Sequence, residues 1–443
     1  MIAHAPPPPP VLSAPPVSFG RVAVRVGSGT RAVQVQAGGR LGARVGVAPG
    51  PRRISLPVPV GIGPVRVRAI GSGGSRWSAT VRVRVLPRSA RRAGRIPGFV
   101  DRRLQADVDR LVAGMPAISG IYVQHLLTGC GASHNADAQF PAASTLKAAI
   151  LVDAVRRGRA GRLSWALDRM IVDSDDVSAN AVLADLGGGS GTAGAASVTR
   201  TLADLGLSRS LVRRPYLLES RRPLPIETSA SPALYTNFIS TPYELARLMV
   251  AVHRGAVGRG GVARLGIGTR AVRAELLARL LDVRDRTKLA AGLPESVPLA
   301  HKTGYNEQVK HDAGIVYLRS GPVAVAAMTW SASGVGDATG DRFIAEIARA
   351  ARVRLAGGGS CEGLPLQPPS VTSSMDAAVG PPGVVPTTAF KIQPPSVTSS
   401  NGSTGARGAA PDRPWRSEVG LPPGVVPTAA FKIQPPLKGP GAE

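Results

Sequence analysis

The chain has 443 residues, and its 54 basic against 28 acidic residues give a formal net charge of +26. A chain of this length has room for two or three domains with their own cores. No apolar run approaches the roughly 18 residues that a membrane-spanning helix needs, so no transmembrane segment is predicted. Residues 1–17 carry a run of prolines where a signal peptide has its apolar stretch, and no export signal is recognisable.

Positive charge is concentrated in residues 1–98, which hold 16 arginines and no acidic residue. Such a segment attracts polyanions, including nucleic acid, an anionic membrane surface or an anionic wall polymer. It also suits a domain that simply solvates its outer faces with arginine. No aromatic interleaving or nucleic-acid motif accompanies the charge. An anionic polymer bound by this basic segment and a merely solvated surface therefore both stay open.

The first predicted elements are short strands behind a proline-rich leader at residues 1–16. Val recurs at every second position in most of the runs, with Arg or Gln between, which is typical of half-buried antiparallel strands. Gly, Pro and Ser turns separate the runs at the spacing of a small all-β sandwich. This predicts a small β-sandwich over residues 17–86, for which an immunoglobulin-like arrangement is one candidate, and a linker over residues 87–98. The strand runs are 21–26, 32–37, 42–47, 54–60, 65–70 and 80–85.

A mixed region follows over residues 99–357. Thr241-Pro242-Tyr243-Glu244 predicts a helix start, with Thr as N-cap, Pro at the first helical position and Glu three residues after Thr in a capping box. Ser320-Gly321-Pro322 predicts the turn of a hairpin. Helices around an antiparallel sheet make this an α+β fold. Helices are predicted at 101–112, 145–157, 177–186, 197–205, 270–281 and 343–355, and strands at 120–127, 313–318 and 323–330.

Residues 358–443 form a proline-rich tail of low complexity in which residues 381–395 recur as 422–436 with one change. This composition is typical of an extended, disordered segment, and a repeated peptide ligand for a partner is the alternative. Cys130 and Cys361 show no metal or redox spacing, so two independent free thiols are expected, with a long-range disulfide as the alternative.

Lysine use points to a candidate site. Only 7 of the 54 basic residues are lysines, and one of them, Lys147, lies three residues after Ser144 at the start of a predicted helix. That spacing puts both side chains on one helix face. A serine hydroxyl is a weak nucleophile until a neighbour takes its proton. A buried lysine can do so, whereas an arginine stays protonated.

Two further motifs follow in order, Ser174-Asp175-Asp176 and Lys302-Thr303-Gly304. Residues 140–143 lead into Ser144, and Asn180 lies four residues after Asp176. With these motifs the chain resembles the class A β-lactamase and penicillin-recognising serine hydrolase family over about residues 118–354. The resemblance implies the family fold for residues 99–357.

The family's motifs imply roles for the matching residues. Ser144 would be the acylated nucleophile, Lys147 its proton-handling partner, and Ser174 a relay of a proton to the leaving nitrogen. The backbone N–H of Ser144 and one on the strand after Gly304 would form the oxyanion hole.

The remaining matches imply substrate contacts. Lys302 would add positive potential for a substrate carboxylate, and Thr303 would offer it a hydroxyl. Asp176 and Gly304 would line the substrate site. Neither the motifs nor the cysteine spacing implies a metal or a cofactor.

The chain departs from the family in three places. Asp176 stands where the family usually has Asn, and a carboxylate near Lys147 favours the cationic lysine, which cannot act as a base. The segment between Ser144 and Ser174 is shorter than usual. No clear Glu-x-x-Leu-Asn precedes the Thr241 helix, so Glu219 and Glu227 are candidates for the water-activating glutamate by position only.

The sequence thus predicts a monomeric serine hydrolase that forms an acyl-enzyme at Ser144 with β-lactams or related amides or esters. The alternatives are a D,D-peptidase-like enzyme acting on peptidoglycan-like substrates and a catalytically degenerate binding protein. The family resemblance places the protein outside the cytoplasm.

Overall fold

The computed structural model describes residues 5–13, 15–92, 97–216 and 237–366. The N-terminal part is all β, because Val alternates with polar residues along most of its strands. Its strands are Val11–Ser13 (β1), Val17–Phe19 (β2), Arg21–Val26 (β3), Ala32–Ala37 (β4), Arg40–Gly46 (β5), Arg52–Pro57 (β6), Gly61–Gly71 (β7), Gly74–Trp77 (β8) and Val81–Leu86 (β9).

These strands form two sheets, one ordered β1-β3-β6 and the other β2-β9-β7-β4-β5, with β8 paired to β7. Val22 and Val24 of the first sheet and Val33 and Val67 of the second lie in one buried valine-rich cluster. Residues 11–13 and 15–86, which hold all of these strands, are called the β-domain below. Three of the strands match no predicted run, namely β1, which falls inside the predicted leader, β2 and β8. In addition, Arg88–Arg92 of the predicted linker forms a 3-10 helix.

The second part is α+β, as predicted. Its main sheet has the order β10-β12-β11-β18-β17-β16, and a small sheet has the order β13-β15-β14. The strands are Phe99–Val100 (β10), Ile118–His125 (β11), Cys130–His134 (β12), Phe140–Pro141 (β13), Leu211–Val212 (β14), Phe238–Ser240 (β15), Leu299–Tyr305 (β16), Val309–Tyr317 (β17) and Pro322–Trp330 (β18).

The α-helices of this part are Arg102–Ala113 (α1), Lys147–Arg156 (α2), Ser164–Val172 (α3), Asp176–Leu186 (α4), Gly191–Asp204 (α5), Pro242–Ala256 (α6), Thr269–Ala271 (α7), Ala278–Leu281 (α8) and Asp337–Leu355 (α9). A π-helical segment, Val272–Leu277, joins α7 to α8, and 3-10 turns cover Ala143–Leu146, Gly261–Leu265 and Leu289–Gly292. In the described ranges, none of the helices has the length and apolar character needed to cross a membrane.

The main sheet lies between two helical layers. Ile121 and Val123 of β11 pack into the core shared with α1 and α9. Tyr122, between them in the sequence, packs into the core on the opposite face, where α6 contributes Leu245 and Leu248. This alternation buries both faces of β11. The helices α2 to α5 share that second core and carry the candidate site.

Two local predictions need correction. Thr241 does cap α6, accepting a hydrogen bond from the backbone N–H of Glu244 at 3.0 Å. The Glu244 carboxylate, however, accepts from Arg209 N at 3.0 Å and Ser210 Oγ at 2.5 Å instead of closing a capping box. Lys302-Thr303-Gly304, expected to precede strands, lies within β16 itself.

The prediction of two free thiols is wrong, because Cys130 and Cys361 form a disulfide with their Cα atoms 5.1 Å apart. The chain returns after α9 so that Val100 N donates to Leu364 O and Leu366 N donates to Gly98 O. This return brings Cys361 beside β12, which a separation of 231 residues could not reveal. The boundary predicted at residue 357 also differs, since residues 358–366 pack against β10 and β12.

Candidate active site

Ser144 lies on the 3-10 turn Ala143–Leu146, immediately before α2. Ala143 has a φ of 47°, a left-handed conformation that is unfavourable for alanine. The turn is held by the Thr145 hydroxyl, which donates to Ala142 O at 2.6 Å, and by Ala142 N, which donates to Phe238 O at 2.8 Å. Backbone strain of this kind is often found at functional sites.

Lys147 is the first residue of α2, and its side chain is fully buried. Its Nζ donates to Ser144 Oγ at 2.9 Å and to Ser174 O at 2.5 Å, and lies 3.4 Å from Ser174 Oγ. The Asp176 carboxylate also accepts from this ammonium group. The first two motifs therefore meet at a single nitrogen atom.

Ser174 lies between α3 and α4 with a φ of 62°, again left-handed. Asp175 fixes the turn by accepting from Ser178 N at 2.8 Å as the N-cap of α4. The Ser174 hydroxyl accepts from Lys302 Nζ at 2.9 Å on one side and lies near Lys147 on the other. The structure thus places the Ser174 hydroxyl between the two lysines.

Lys302 and Gly304 bring β16 against this cluster. The Lys302 side chain is fully buried, and its Nζ also donates to Thr303 O at 2.9 Å. A Cβ atom at Gly304 would lie 2.9 Å from Thr145 N and 3.0 Å from Ala142 O, so only glycine lets the strand approach the Ser144 turn this closely. Thr303 is also buried, and its hydroxyl has no hydrogen-bond partner within the described part of the chain.

Burial dominates the electrostatics of the two lysines. It lowers the pKa of Lys147, while the charge and hydrogen bond of Asp176, and then the charge of Asp175, oppose the change. For Lys302, burial and then the positive charge of Lys147 lower the pKa to about 7. Both effects favour a neutral amine, which is the form that can accept a proton.

Tyr216 belongs to the site although no sequence pattern indicated it. Asn180, four residues after Asp176, donates from Nδ2 to Tyr216 O at 2.8 Å and accepts from Tyr216 N at 2.7 Å. The Tyr216 ring stacks on Phe238 at 4.0 Å and lies 4.6 Å from Lys147 Nζ. A contact between residues 36 positions apart has no local sequence signal.

The structure does not describe the two glutamates that were candidates for activating water. Glu219 and Glu227 lie outside the described residues. Across the ranges that the structure describes, no group of three or more His, Cys, Asp or Glu side chains is arranged to hold a metal ion. The arrangement thus supplies a part-buried hydroxyl, an amine of lowered pKa beside it, and a second hydroxyl shared between two amines.

Comparison with models of known protein families gives a match over the second part of the chain. A model described as "Beta-lactamase enzyme family" matches residues 103–169 and 166–355, more than half of the chain. A search of curated proteins gave no match.

Among solved structures, "Structure of PBP-A" is similar at 24% identity over 58% of this chain and 96% of that one, with a TM-score of 0.47. A β-lactamase from Streptosporangium roseum is similar at 21% identity over 58% and 99%, with a TM-score of 0.46. Identities this low concern the fold alone.

Proposed function

The chain belongs to the β-lactamase enzyme family, and on that premise we propose that it is a serine hydrolase whose Ser144 forms an acyl-enzyme with β-lactams or related amides or esters. The observation that carries this proposal is the 2.9 Å hydrogen bond between Lys147 Nζ and Ser144 Oγ, made by a lysine whose pKa burial lowers. A neutral amine at that distance is placed to take the serine proton.

The proposed acylation has two steps. Ser144 Oγ attacks the substrate carbonyl carbon while its proton passes to neutral Lys147, giving a tetrahedral oxyanion and an ammonium ion. The C–N bond then breaks, or the C–O bond in an ester, and the Ser174 hydroxyl protonates the leaving group. Lys147 returns its proton to Ser174, to which it lies at 3.4 Å. The products are the Ser144 ester and the protonated leaving group, which departs as an amine or an alcohol from an open-chain substrate and stays attached through the opened ring of a β-lactam.

Lys302 is proposed to hold positive potential toward a substrate carboxylate, with Thr303 and Gly304 on the same strand lining the substrate site. Its pKa of about 7 makes that charge pH-dependent near neutrality. Its hydrogen bond to Ser174 also orients the hydroxyl that protonates the leaving group. Tyr216, which faces Lys147, is proposed to shield the amine from water, since its ring is buried.

Asp176 is expected to make acylation slow. Its carboxylate pairs with Lys147 and stabilises the ammonium form that cannot accept the serine proton. The family's Asn would offer a hydrogen bond without that charge. Slow formation of the acyl-enzyme is therefore expected, and rapid turnover is not.

The disulfide supports a location outside the cytosol, because structural disulfides persist in oxidising compartments and are rare in reducing ones. Fractionation of cells that produce the full chain tests this location. Recovery only in the cytosol, with both thiols reduced, would contradict it.

Intact-protein mass spectrometry after incubation with benzylpenicillin tests the acylation. We expect a mass increase equal to the whole penicillin on the wild type, none on Ser144→Ala, and the wild-type increase on Ser333→Ala, which removes an exposed hydroxyl from a loop. An unmodified wild type, or an adduct that persists on Ser144→Ala, would rule the proposal out. Release of D-alanine from a stem peptide would instead identify a D,D-peptidase.

A further inference from the structure

An open groove of about 660 Å³ lies where the β-domain meets residues 97–366, which are called the hydrolase part below. Arg82 and Arg84 of β9 line one side, and α3, α8 and the segment after α8 line the other. Ligand sites of a few hundred Å³ are often found at domain interfaces. None of the proposed catalytic residues lines this groove, although Asp173, at one end of it, directly precedes Ser174.

The two sides of the groove are joined by charged groups. Arg84 makes a two-pronged ion pair with Asp282, whose Oδ1 accepts from Arg84 Nε at 3.0 Å. Arg82 lies 3.7 Å from the same carboxylate. The Arg84 side chain is almost buried, and its Nε and Nη2 each contact one oxygen of the Asp282 carboxylate. This ion pair therefore fixes the position of β9 against the hydrolase part.

The groove carries more positive than negative charge. Five arginines and three aspartates line it, which leaves a net charge of +2. Arg279 is buried and is held by Asp168 at 2.7 Å and Glu275 at 2.6 Å. Arg284 is different, since its side chain is 75% exposed and is paired with Asp173 only at its Nη1 end. Exposed guanidinium groups with donors to spare are suited to a carboxylate or a phosphate.

Trp165 lies in the same groove with 73% of its surface exposed. The exposed indole ring presents a large, flat apolar surface beside the charged groups of the groove, which suits it to contact a bound ligand. It is the second residue of α3, on a short rigid helix. Its aromatic face can accept the C–H groups of a sugar ring.

We propose that this groove binds an anionic saccharide, with one sugar ring stacked on Trp165 and its carboxylate or phosphate held by Arg284 and Arg82. The groove offers both guanidinium donors and aspartate acceptors, which suits sugar hydroxyls because each hydroxyl both donates and accepts. A nucleic-acid strand fits less well, because three aspartates would face its phosphates and a single tryptophan gives no repeated stacking platform. An apolar peptide would find mostly charged side chains.

The test uses the full chain carrying Ser144→Ala, so that its result does not depend on acylation. Binding of trigalacturonic acid is measured by isothermal titration calorimetry at low salt, with the trimethyl ester as the uncharged counterpart. We expect saturable binding of the acid. Trp165→Ala should weaken it by about 10-fold, since the apolar contact between the sugar ring and the indole ring is lost. Arg284→Ala should weaken it by about 3–10-fold, since it removes one charged hydrogen-bond partner.

Arg44→Ala is the matched control, because it removes one arginine from an exposed strand, β5, outside the groove. It should change the affinity by less than about 2-fold if the site is local rather than a diffuse field. Three results would overturn the proposal. They are no binding at millimolar concentration, equal weakening by Arg44→Ala and Trp165→Ala, and tighter Trp165-dependent binding of a single-stranded oligonucleotide. Unchanged melting temperatures of the variants exclude misfolding.

Discussion

In the β-domain the buried core consists mainly of valines and no arginine is fully buried, whereas the hydrolase part buries charged groups of both signs. Among the described residues, all buried acidic or basic side chains belong to the second part. All four lysines of the described ranges, Lys147, Lys288, Lys302 and Lys310, are buried there. The other three lysines of the sequence lie in residues 367–443.

This contrast gives a reason for the use of lysine, rather than arginine, at positions 147 and 302. Arginine carries a permanent charge, which suits a solvated surface but not a site that exchanges protons. A lysine side chain can enter the interior on its apolar stem and lose its proton when burial requires it. Lys147 and Lys302 therefore lie where lysine differs most from arginine, since burial lowers the pKa of both.

The largest effect is expected when Lys147 is replaced by arginine, the residue that cannot lose its proton. Lys147→Arg keeps the charge but removes the group that can accept the Ser144 proton, so the acylation rate should fall by about 10³-fold, within the usual range for a general base. Stopped-flow measurement of acylation by a chromogenic cephalosporin checks this. Arg44→Lys in the β-domain and Lys310→Arg in the hydrolase part are matched controls, and each should change the rate by less than about 3-fold. A Lys147→Arg enzyme of normal rate would contradict the proposed role.

Removing the disulfide should destabilise the hydrolase part and leave the stability of the β-domain nearly unchanged. Cys130→Ser/Cys361→Ser releases a loop of more than 200 residues and should lower the free energy of unfolding of the hydrolase part by about 2–4 kcal/mol. The β-domain holds no cysteine, so hydrogen exchange of β3 and β4 should change little. Melting curves with and without dithiothreitol give the same comparison in the wild type. Identical curves would show that the bond contributes nothing.

Much of this fold was predictable from local patterns. Val alternation located β3 and β4 to the residue, and the cap at Thr241 located α6. Local patterns could not predict the return of residues 358–366 to β10, because backbone pairing between distant segments leaves no mark in either sequence. The partners of Glu244 were not predictable for the same reason. Its carboxylate accepts hydrogen bonds from Arg209 and Ser210, which are distant in the sequence, instead of closing the capping box.

The motifs of the candidate site were predictable because the chemistry needs particular residue types at short spacings. The structure brings Ser144, Lys147, Ser174 and Lys302 within hydrogen-bonding distance of one another in a chain of contacts. Tyr216 was not predictable, because its place depends on the fold around Asn180. Catalytic roles for these residues stay predictions.

Removing the buried charge of Lys302 should raise stability while it harms function. Its pKa falls from an ordinary 10.5 to about 7 in the folded protein, so between these values the unfolded chain binds more protons. Wild-type stability at this group therefore rises as the pH increases from about 7 to 10, and below pH 7 the whole cost of the buried cation is present. Lys302→Met should be more stable than the wild type at pH 6, by about 1–3 kcal/mol.

The difference in the free energy of unfolding between Lys302→Met and the wild type should shrink toward pH 10. Thermal unfolding of both at pH 6 and pH 9.5 measures it. A difference of the same size at both values would show that Lys302 does not titrate in this range. No arginine of the β-domain can give this effect, because its charge is the same in both states.

The smallest effect is expected for removal of the Asp176 carboxylate. This carboxylate pairs with a lysine, whose pKa can change, and it can be compared with Asp282, which pairs with an arginine. Asp176→Asn removes the charge that opposes the lowered pKa of Lys147, so that pKa should fall further and more neutral amine should be present at pH 7. Acylation should become several-fold faster there, and the acid limb of its pH profile should move to lower pH.

Asp282→Asn is the matched control, since it removes a carboxylate from Arg84, whose protonation cannot respond. It should leave the acylation pH profile in place and weaken only the junction between the β-domain and the hydrolase part. If Asp176→Asn instead slows acylation without moving the profile, the carboxylate acts by positioning Lys147 through its hydrogen bond, and the family's Asn is not its functional equivalent. If both variants shift the profile equally, the effect reflects net charge, and the distinction between the two ion pairs fails.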